Sequence, residues 1–208
     1  MMNTLFHEKA FAEAWADPRN TRYELPALDV NRVLSERYRL GKPLLFTRTM
    51  LWTMETRKAR RPDLYIPYVV AEGSADAWDD HQAPDGADIF VRKSQQRLWT
   101  MPEKYTLVIE QTRLNHVEQK VTFIGAAEYP DRDGQTLRVT AEQPIFHVVH
   151  GVIGEEDRPL NTWFIVHLTD APDDALLAPF RKQAADPYLP GYIEIFIRND
   201  LGIELVRR

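Results

Sequence analysis

The feature that most constrains this chain is a long central stretch in which the hydrophobic pattern changes from helical spacing to alternation. From about Leu44 to Thr169 the chain is rich in β-branched and aromatic residues, which favour strands. We therefore predict strands at 45–56, 64–71, 88–99, 104–114, 119–129, 136–141, 144–153 and 161–169. The connections are short enough for hairpins. Seven or eight sequentially paired antiparallel strands must curl or close into a barrel, because a flat sheet of that width leaves two open edges.

Helical patterns flank this stretch. A first helix is expected at 4–16, capped by Asn3 or Thr4, and a second begins after Asp29 as its N-cap and ends near Gly41. The segment between them, 18–28, is expected to be extended. Apolar spacing returns after residue 170, and 190–202 fits either a helix or a strand.

These patterns predict one α+β domain spanning 1–208. It consists of a helical N-terminal segment (1–43), an antiparallel sheet (44–169) and C-terminal helices (170–208).

Composition excludes several classes of function. The chain of 208 residues has no Cys, which removes disulfides, thiolate metal sites and Cys nucleophiles. Its net charge of −5 argues against a nucleic-acid partner, which needs a concentrated positive surface. No apolar run approaches the roughly 20 residues that span a bilayer, so no membrane partner is expected. The N-terminal residues lack the pattern of a signal peptide, and we expect a cytoplasmic protein.

Two predicted strands indicate a covered sheet. In 144–153 and in 161–169 the side chains on both faces are apolar, whereas a strand facing solvent would alternate with polar residues. Covered faces on a curved sheet favour an internal cavity for a small, partly apolar molecule. We expect its walls to include Met50 and Trp52, on the same predicted strand face as Arg48, together with Phe146 and Trp163.

Candidate catalytic residues come from the predicted sheet. No phosphate-binding loop, dinucleotide motif, HExxH or GxSxG is present. A buried His suffices for acid/base chemistry without a cofactor, so we nominate His150 or His167 as the base, Glu110 as its partner and Arg48 as the group that binds developing negative charge. His147 and His150 lie three apart on a strand and should face opposite ways, so we predict no metal site there.

Two charged stretches have simpler interpretations. The basic cluster at Arg57, Lys58, Arg60 and Arg61 is expected to be a solvated turn, with an anion clamp as the alternative. The acidic segment 72–88 is expected to be a loop exposed to solvent. Within it, Trp78 is expected to fold back over a sheet edge.

The order of two helices, a long antiparallel meander and a C-terminal helix is similar to that of helix-grip ligand-binding proteins and of lipocalin-like barrels with added helices. Both groups include binders and enzymes. We therefore expect a protein that binds a small, partly apolar molecule, and the sequence leaves open whether it converts that molecule as an isomerase, cyclase or dehydratase. The alternatives are a regulatory or assembly protein with a filled core, and a His-ligated haem or metal binder. No cofactor is expected, and a homodimer remains an alternative to a monomer.

Overall fold

The fold is described from a computed structural model, which describes residues 6–208. Its α-helices are α1 (Phe6–Ala16), α2 (Val30–Arg37), α3 (Arg48–Arg60), α4 (Pro62–Tyr65), α5 (Ala178–Ala185) and α6 (Gly191–Ile195). A 3₁₀ helix, Asp174–Leu177, precedes α5, and a π-helical turn, Phe196–Asp200, follows α6. The expected cap of the first helix at Asn3 or Thr4 lies outside the described residues.

The main sheet has seven antiparallel strands in the order β1-β10-β9-β6-β5-β4-β3. Its members are β1 (Thr21–Asp29), β3 (Asp76–Gln82), β4 (Asp88–Arg97), β5 (Tyr105–Asn115), β6 (Lys120–Gly125), β9 (Phe146–Glu155) and β10 (Arg158–His167). Two short pairs lie outside it: β2 (Tyr38–Leu40) with β11 (Leu205–Arg207), and β7 (Glu128–Pro130) with β8 (Thr136–Arg138). The predicted α+β class with a seven-stranded antiparallel sheet is confirmed.

The sheet is not a simple meander, and it is not closed into a barrel. The first strand, β1, pairs with the last strand of the sheet, β10, starting at Thr21 opposite His167. Strands β1 and β3 are its two edges within the described chain. Closing the sheet would require those edges to pair with each other, so the barrel alternative was wrong.

Strands β9 and β10 are covered on both faces, as the apolar residues on both of their faces predicted. One face of β9 and β10 presents Phe146, Val148, His150, Trp163 and Ile165; we call it the inner face, and it lies toward α3, α5 and α6. The opposite face lies against α1, where the Trp15 and Phe164 rings meet edge to face with centroids 5.8 Å apart.

The predicted strand at 45–56 was wrong, because most of it lies in helix α3. The hydroxyl of Thr47 accepts a hydrogen bond from the Met50 amide and caps this helix. The apparent alternation of Met50 and Trp52 competes with a helical spacing in which Leu51, Met54 and Lys58 recur on one face and are buried. Helical packing prevailed over the strand pattern because that face lies against the sheet.

Four other expectations need correction. The predicted strand at 64–71 is helix α4 and turns, with a single bridge from Val70 to Gln96. The acidic segment 72–88 contains edge strand β3, where Trp78 is buried beside Tyr129 of the β7–β8 hairpin. The predicted strand at 136–141 contributes β8 to that hairpin, and the segment 1–43 contains strands β1 and β2 as well as helices.

Helix α2 and the segment 190–202 pack together in a second hydrophobic core, beside the core on the inner face of the sheet. Asp29 caps α2 by accepting from the Arg32 amide at 3.0 Å, as the sequence predicted. The segment 190–202 is mostly helical, which resolves its ambiguity. Ile193, Phe196 and Ile197 are buried there against α2 and α3, so these apolar side chains belong to the core.

Candidate functional site

A cavity of about 110 Å³ lies between the inner face of the sheet and the helices that cover it. Helix α3 contributes one residue, the segment after α4 three, the sheet and the loop after β4 nine, and helices α5 and α6 three. They are Lys58; Ile66, Tyr68 and Val69; Arg92, Gln96, Trp99, Glu110, Phe123, Phe146, Val148, His150 and Trp163; and Phe180, Gln183 and Tyr192. The walls are mostly aromatic, and several titratable groups reach the same space.

One of these groups is Lys58, which helix α3 carries into the interior. Its Nζ lies 2.7 Å from Oε2 of Glu55, one turn earlier on the helix, and 3.1 Å from Nδ1 of His150 on β9. The same Nζ lies 3.8 Å from the centroid of the Tyr192 ring, which is a cation–π contact. All four side chains are buried, so little water screens these contacts.

The Glu55 carboxylate continues this network on its other side. Its Oε1 accepts from Nδ2 of Asn161 at 3.1 Å, and Oδ1 of Asn161 accepts from the Tyr192 hydroxyl at 2.7 Å. Asn161 thus connects the carboxylate to the aromatic wall. Glu55 Oε2 lies 2.7 Å from Nζ of Lys58 and 3.4 Å from Nδ1 of His150, so the ion pair with Lys58 holds this oxygen.

A second ion pair spans strands β4 and β5. Arg92 and Glu110 lie directly opposite each other in the strand register, and both Nε and Nη2 of Arg92 lie 2.7 Å from Oε2 of Glu110. Nη1 of Arg92 donates to the carbonyl of Ala59 at 2.8 Å, which satisfies a carbonyl at the C-terminus of α3. The pair therefore fastens the helix that carries Lys58 to the sheet.

Burial and nearby charges determine the protonation states of Lys58, Glu55 and His150. Burial, assisted by the Lys58 charge, lowers the pKa of His150 to about 4, so the imidazole is neutral at pH 7. Burial by itself would raise the pKa of Glu55, but Lys58 and His150 lower it to about 2. Burial also lowers the pKa of Lys58, and Glu55 opposes that shift. A cationic Lys58 donates to Nδ1 of the neutral imidazole, which places the imidazole proton on Nε2.

A larger space adjoins the cavity. This outer cleft, about 480 Å³, lies between the bulge of β1 at Leu25–Leu28, helix α2 and the segment 179–191. It shares four lining residues with the cavity: Tyr68, Trp163, Gln183 and Tyr192. These side chains therefore lie at the boundary between the two spaces.

The structure places four of the eight nominated residues at the cavity: His150, Glu110, Phe146 and Trp163. His167 faces the same side of the sheet but pairs in register with Phe146, four residues from His150. Four residues of strand span roughly 13 Å, so the two His are not neighbours. His167 lies among the rings of Trp99, Phe146 and Phe180, and neither ring nitrogen has a partner within residues 6–208.

The other three nominated residues lie elsewhere because 48–60 is a helix. Arg48 is at the start of α3, where its Nε donates to the Gln119 side chain at 2.6 Å. Met50 packs against the core formed with α2 and α6, and Trp52 meets the ring of His116 at 5.6 Å. None of the three is among the residues that line the cavity.

Sequence reasoning missed Lys58, Glu55 and Arg92. Lys58 lies in a basic cluster whose other members are partly exposed. These are Arg57, Arg60 and Arg61, which pair with Asp200, Asp80 and Asp63. The available signal was the spacing of Leu51, Glu55 and Lys58, which share one face once α3 is read as a helix. Nothing local distinguishes a Lys on that face from a solvated one.

Three findings bear on metal and membrane binding. Within residues 6–208, no group of three or more His, Asp or Glu side chains is placed to hold a metal ion. His147 points to the face opposite His150 and accepts from the Gly125 amide at 3.1 Å, as the strand geometry predicted. Among the described helices, none is both long and apolar enough to cross a membrane.

The comparisons with known proteins identify the architecture. No protein-family model matches the sequence, and no curated protein sequence matches it. The structure is similar to that of Ara h 8.0201, with a TM-score of 0.51 and 8% identity over 88% of this chain and 99% of the other. It is also similar to the Zhui aromatase/cyclase from Streptomyces sp. R1128, with a TM-score of 0.50 and 8% identity over 86% and 95%. At this identity the likeness shows the fold alone, which is a helix-grip arrangement of an antiparallel sheet around helices.

Proposed function

We propose that the protein binds a small, partly apolar molecule in the cavity and catalyses a proton transfer on it without a cofactor. The observation that carries this proposal is the contact between a buried Lys58 ammonium and a neutral His150 imidazole on the wall of an aromatic cavity. Ionised groups are costly to bury, and groups with perturbed pKa values beside a cavity are concentrated at functional sites.

The volume of the cavity defines the part of the molecule that is enclosed. A cavity on the order of 150 Å³ accepts a benzene ring, so a cavity of about 110 Å³ encloses a group no larger than one aromatic ring. The faces and edges of Phe123, Phe146, Trp163 and Phe180 offer it stacked and edge-to-face contacts. Similarity in fold to an aromatase/cyclase is compatible with an aromatic ligand but does not identify one.

Lys58 and His150 are arranged as a proton relay. No hydrogen bond among residues 6–208 reaches Nε2 of His150, so this N–H is free to donate to a carbonyl or enolate oxygen of the ligand. As the oxygen takes the Nε2 proton, Nδ1 takes one from Lys58, which leaves a neutral amine, a neutral imidazole and a hydroxyl group. The lowered pKa of Lys58 assists this step because the ammonium gives up its proton more readily.

Glu110 supplies a complementary acceptor. Its contacts with Arg92 and Gln96 all reach Oε2, and within the described chain no hydrogen bond reaches Oε1. Oε1 can therefore accept a proton from a ligand C–H or O–H while Arg92 holds the carboxylate in place. An acid and a base at one cavity are the requirements of an isomerase, cyclase or dehydratase.

The test separates binding from proton transfer. One-ring ketones such as acetophenone and its para-hydroxy derivative are added to the protein in D₂O. Binding is followed by calorimetry, and deuterium entry at the carbon next to the carbonyl is followed by mass spectrometry. The expected result is saturable binding with exchange faster than in buffer, and His150→Gln should slow that exchange about 10²-fold or more while binding persists.

The matched control is His147→Gln, three residues away on the opposite face, which should leave exchange unchanged. Absence of binding by any such ketone, and of any small molecule retained by the purified protein in native mass spectrometry, would refute the cavity as a binding site. Binding without exchange would refute proton transfer and leave a non-catalytic binder. Exchange that survives His150→Gln would refute the relay through His150 and assign the proton transfer to another group.

A further inference from the structure

The outer cleft carries an excess of positive charge in an acidic protein. Its lining includes four cationic side chains and two carboxylates: Arg32, Arg37, Lys182 and Arg207, with Glu36 and Asp186. The chain as a whole has a net charge of −5. The cleft therefore carries positive charge on a protein whose net charge is negative, and such a local potential favours an anionic ligand.

Three of these four cations form no ion pair in the described chain, and the carboxylates of Glu36 and Asp186 line the same cleft. Arg207 donates to Oε1 of Glu194 at 2.8 Å, a carboxylate that also pairs with Arg198. Within residues 6–208, Arg32, Arg37 and Lys182 take part in no ion pair, and all three are exposed. Arg32 lies in the first turn of α2, where the helix dipole disfavours a cation, so helix stability does not explain its presence.

Apolar side chains also line the cleft, which borders the cavity. Leu25, Leu28 and Val33 line it beside Pro179 and Leu189. A chain of methylene groups can lie on such a surface. The four residues shared by the two spaces mark where a molecule seated in the cavity would emerge into the cleft.

We propose that the ligand is an amphipathic anion, with an aromatic ring in the cavity and a flexible chain that ends in a carboxylate beside Arg32, Arg37 and Lys182. This inference rests on the proposed binding function of the cavity. It adds a ligand class and a second subsite, and it does not depend on proton transfer.

The test uses two matched series of probes, ω-phenylalkanoates and ω-phenylalkanols of equal chain length. Their affinities are measured by calorimetry on the intact protein. The shortest members, which end inside the cavity, should show no advantage for the acid. Longer acids should bind more tightly than the matching alcohols, and the advantage should shrink when NaCl is raised from about 0.05 to about 0.5 M.

Variants test whether the tighter binding of the long acids comes from the cations of the cleft. Arg32→Gln and Lys182→Gln should each weaken the long acids about threefold to fivefold, as expected for exposed charge pairs, and leave the alcohols unchanged. Arg39→Gln is the matched control, because Arg39 is an exposed cation on β2 that does not line the cleft. It should alter neither series.

The outcomes distinguish the two proposals. If acids and alcohols of every length bind equally well and Arg32→Gln has no effect, the anionic subsite is refuted while the cavity stands. An equal loss of affinity in the Arg39→Gln control would also refute it, because the effect would then come from net charge. If neither series binds, the cavity itself is refuted as a binding site, and the anionic subsite fails with it.

Discussion

Replacing His167 by Phe should make the protein more resistant to mild acid. The side chain of His167 is fully buried among aromatic rings, and neither nitrogen has a hydrogen-bond partner in the described chain. Burial lowers its pKa from 6.5 to about 4, with weak opposition from the Asp173 charge. An apolar ring of similar size removes two unpartnered polar atoms, a change that is commonly neutral or stabilising.

The sign and size follow from proton linkage. Below pH 6.5 the unfolded chain takes up a proton at His167 that the native protein refuses until the pH reaches about 4. Stability is therefore lost as the pH falls through this window. The full loss is about 3 kcal/mol, of which about 2 kcal/mol falls between about pH 7 and about pH 5.

Urea unfolding followed by circular dichroism at these two pH values measures the effect. His167→Phe should lose about 2 kcal/mol less than the unmodified protein between them. Phe180→Leu, in the same aromatic cluster, is the control and should lower stability equally at both pH values. Equal pH dependence of His167→Phe and the unmodified protein would show that His167 binds its proton in the native state, and the linkage reasoning would be wrong.

Three further outcomes follow from single contacts. Lys58→Met should cost about 3–5 kcal/mol in urea unfolding, because it leaves the Glu55 carboxylate buried without its cation; adding Glu55→Gln should recover most of that loss. Gly191→Ala would place a methyl group 2.6 Å from Cε1 of Tyr68, so that ring must move. Because Tyr68 lines both the cavity and the outer cleft, we expect this variant to change the rate of ligand entry measured by stopped-flow fluorescence. An unchanged rate would show that the position of the Tyr68 ring does not control entry. Asp29→Ala should lower the free energy of unfolding by about 1 kcal/mol through loss of the α2 cap, and no change would show that the cap is dispensable.

Local patterns were a sound guide to part of the site. The period of two in 144–153 placed Phe146 and His150 on one covered face, because a strand turns successive side chains to opposite sides whatever its surroundings. The pairing of β9 with β10 then brought Trp163 to the same face. The same pattern misled at Met50 and Trp52, where a second, helical spacing was superimposed on the alternation. Such ambiguity is settled by which face finds a partner to pack against, and that partner is the distant sheet.

The sequence by itself determined the strand-rich centre, the two covered strands, the cap at Asp29 and the absence of Cys chemistry. These properties depend on residue type and on neighbours within a few positions. Only the tertiary structure decided that β1 joins β10, and that Lys58 meets His150 across 92 positions of sequence. A pairing over that separation depends on how all the intervening elements pack, so no local signal marks it. For that reason the neutral imidazole was visible as a candidate, whereas the ammonium that gives it a role was not.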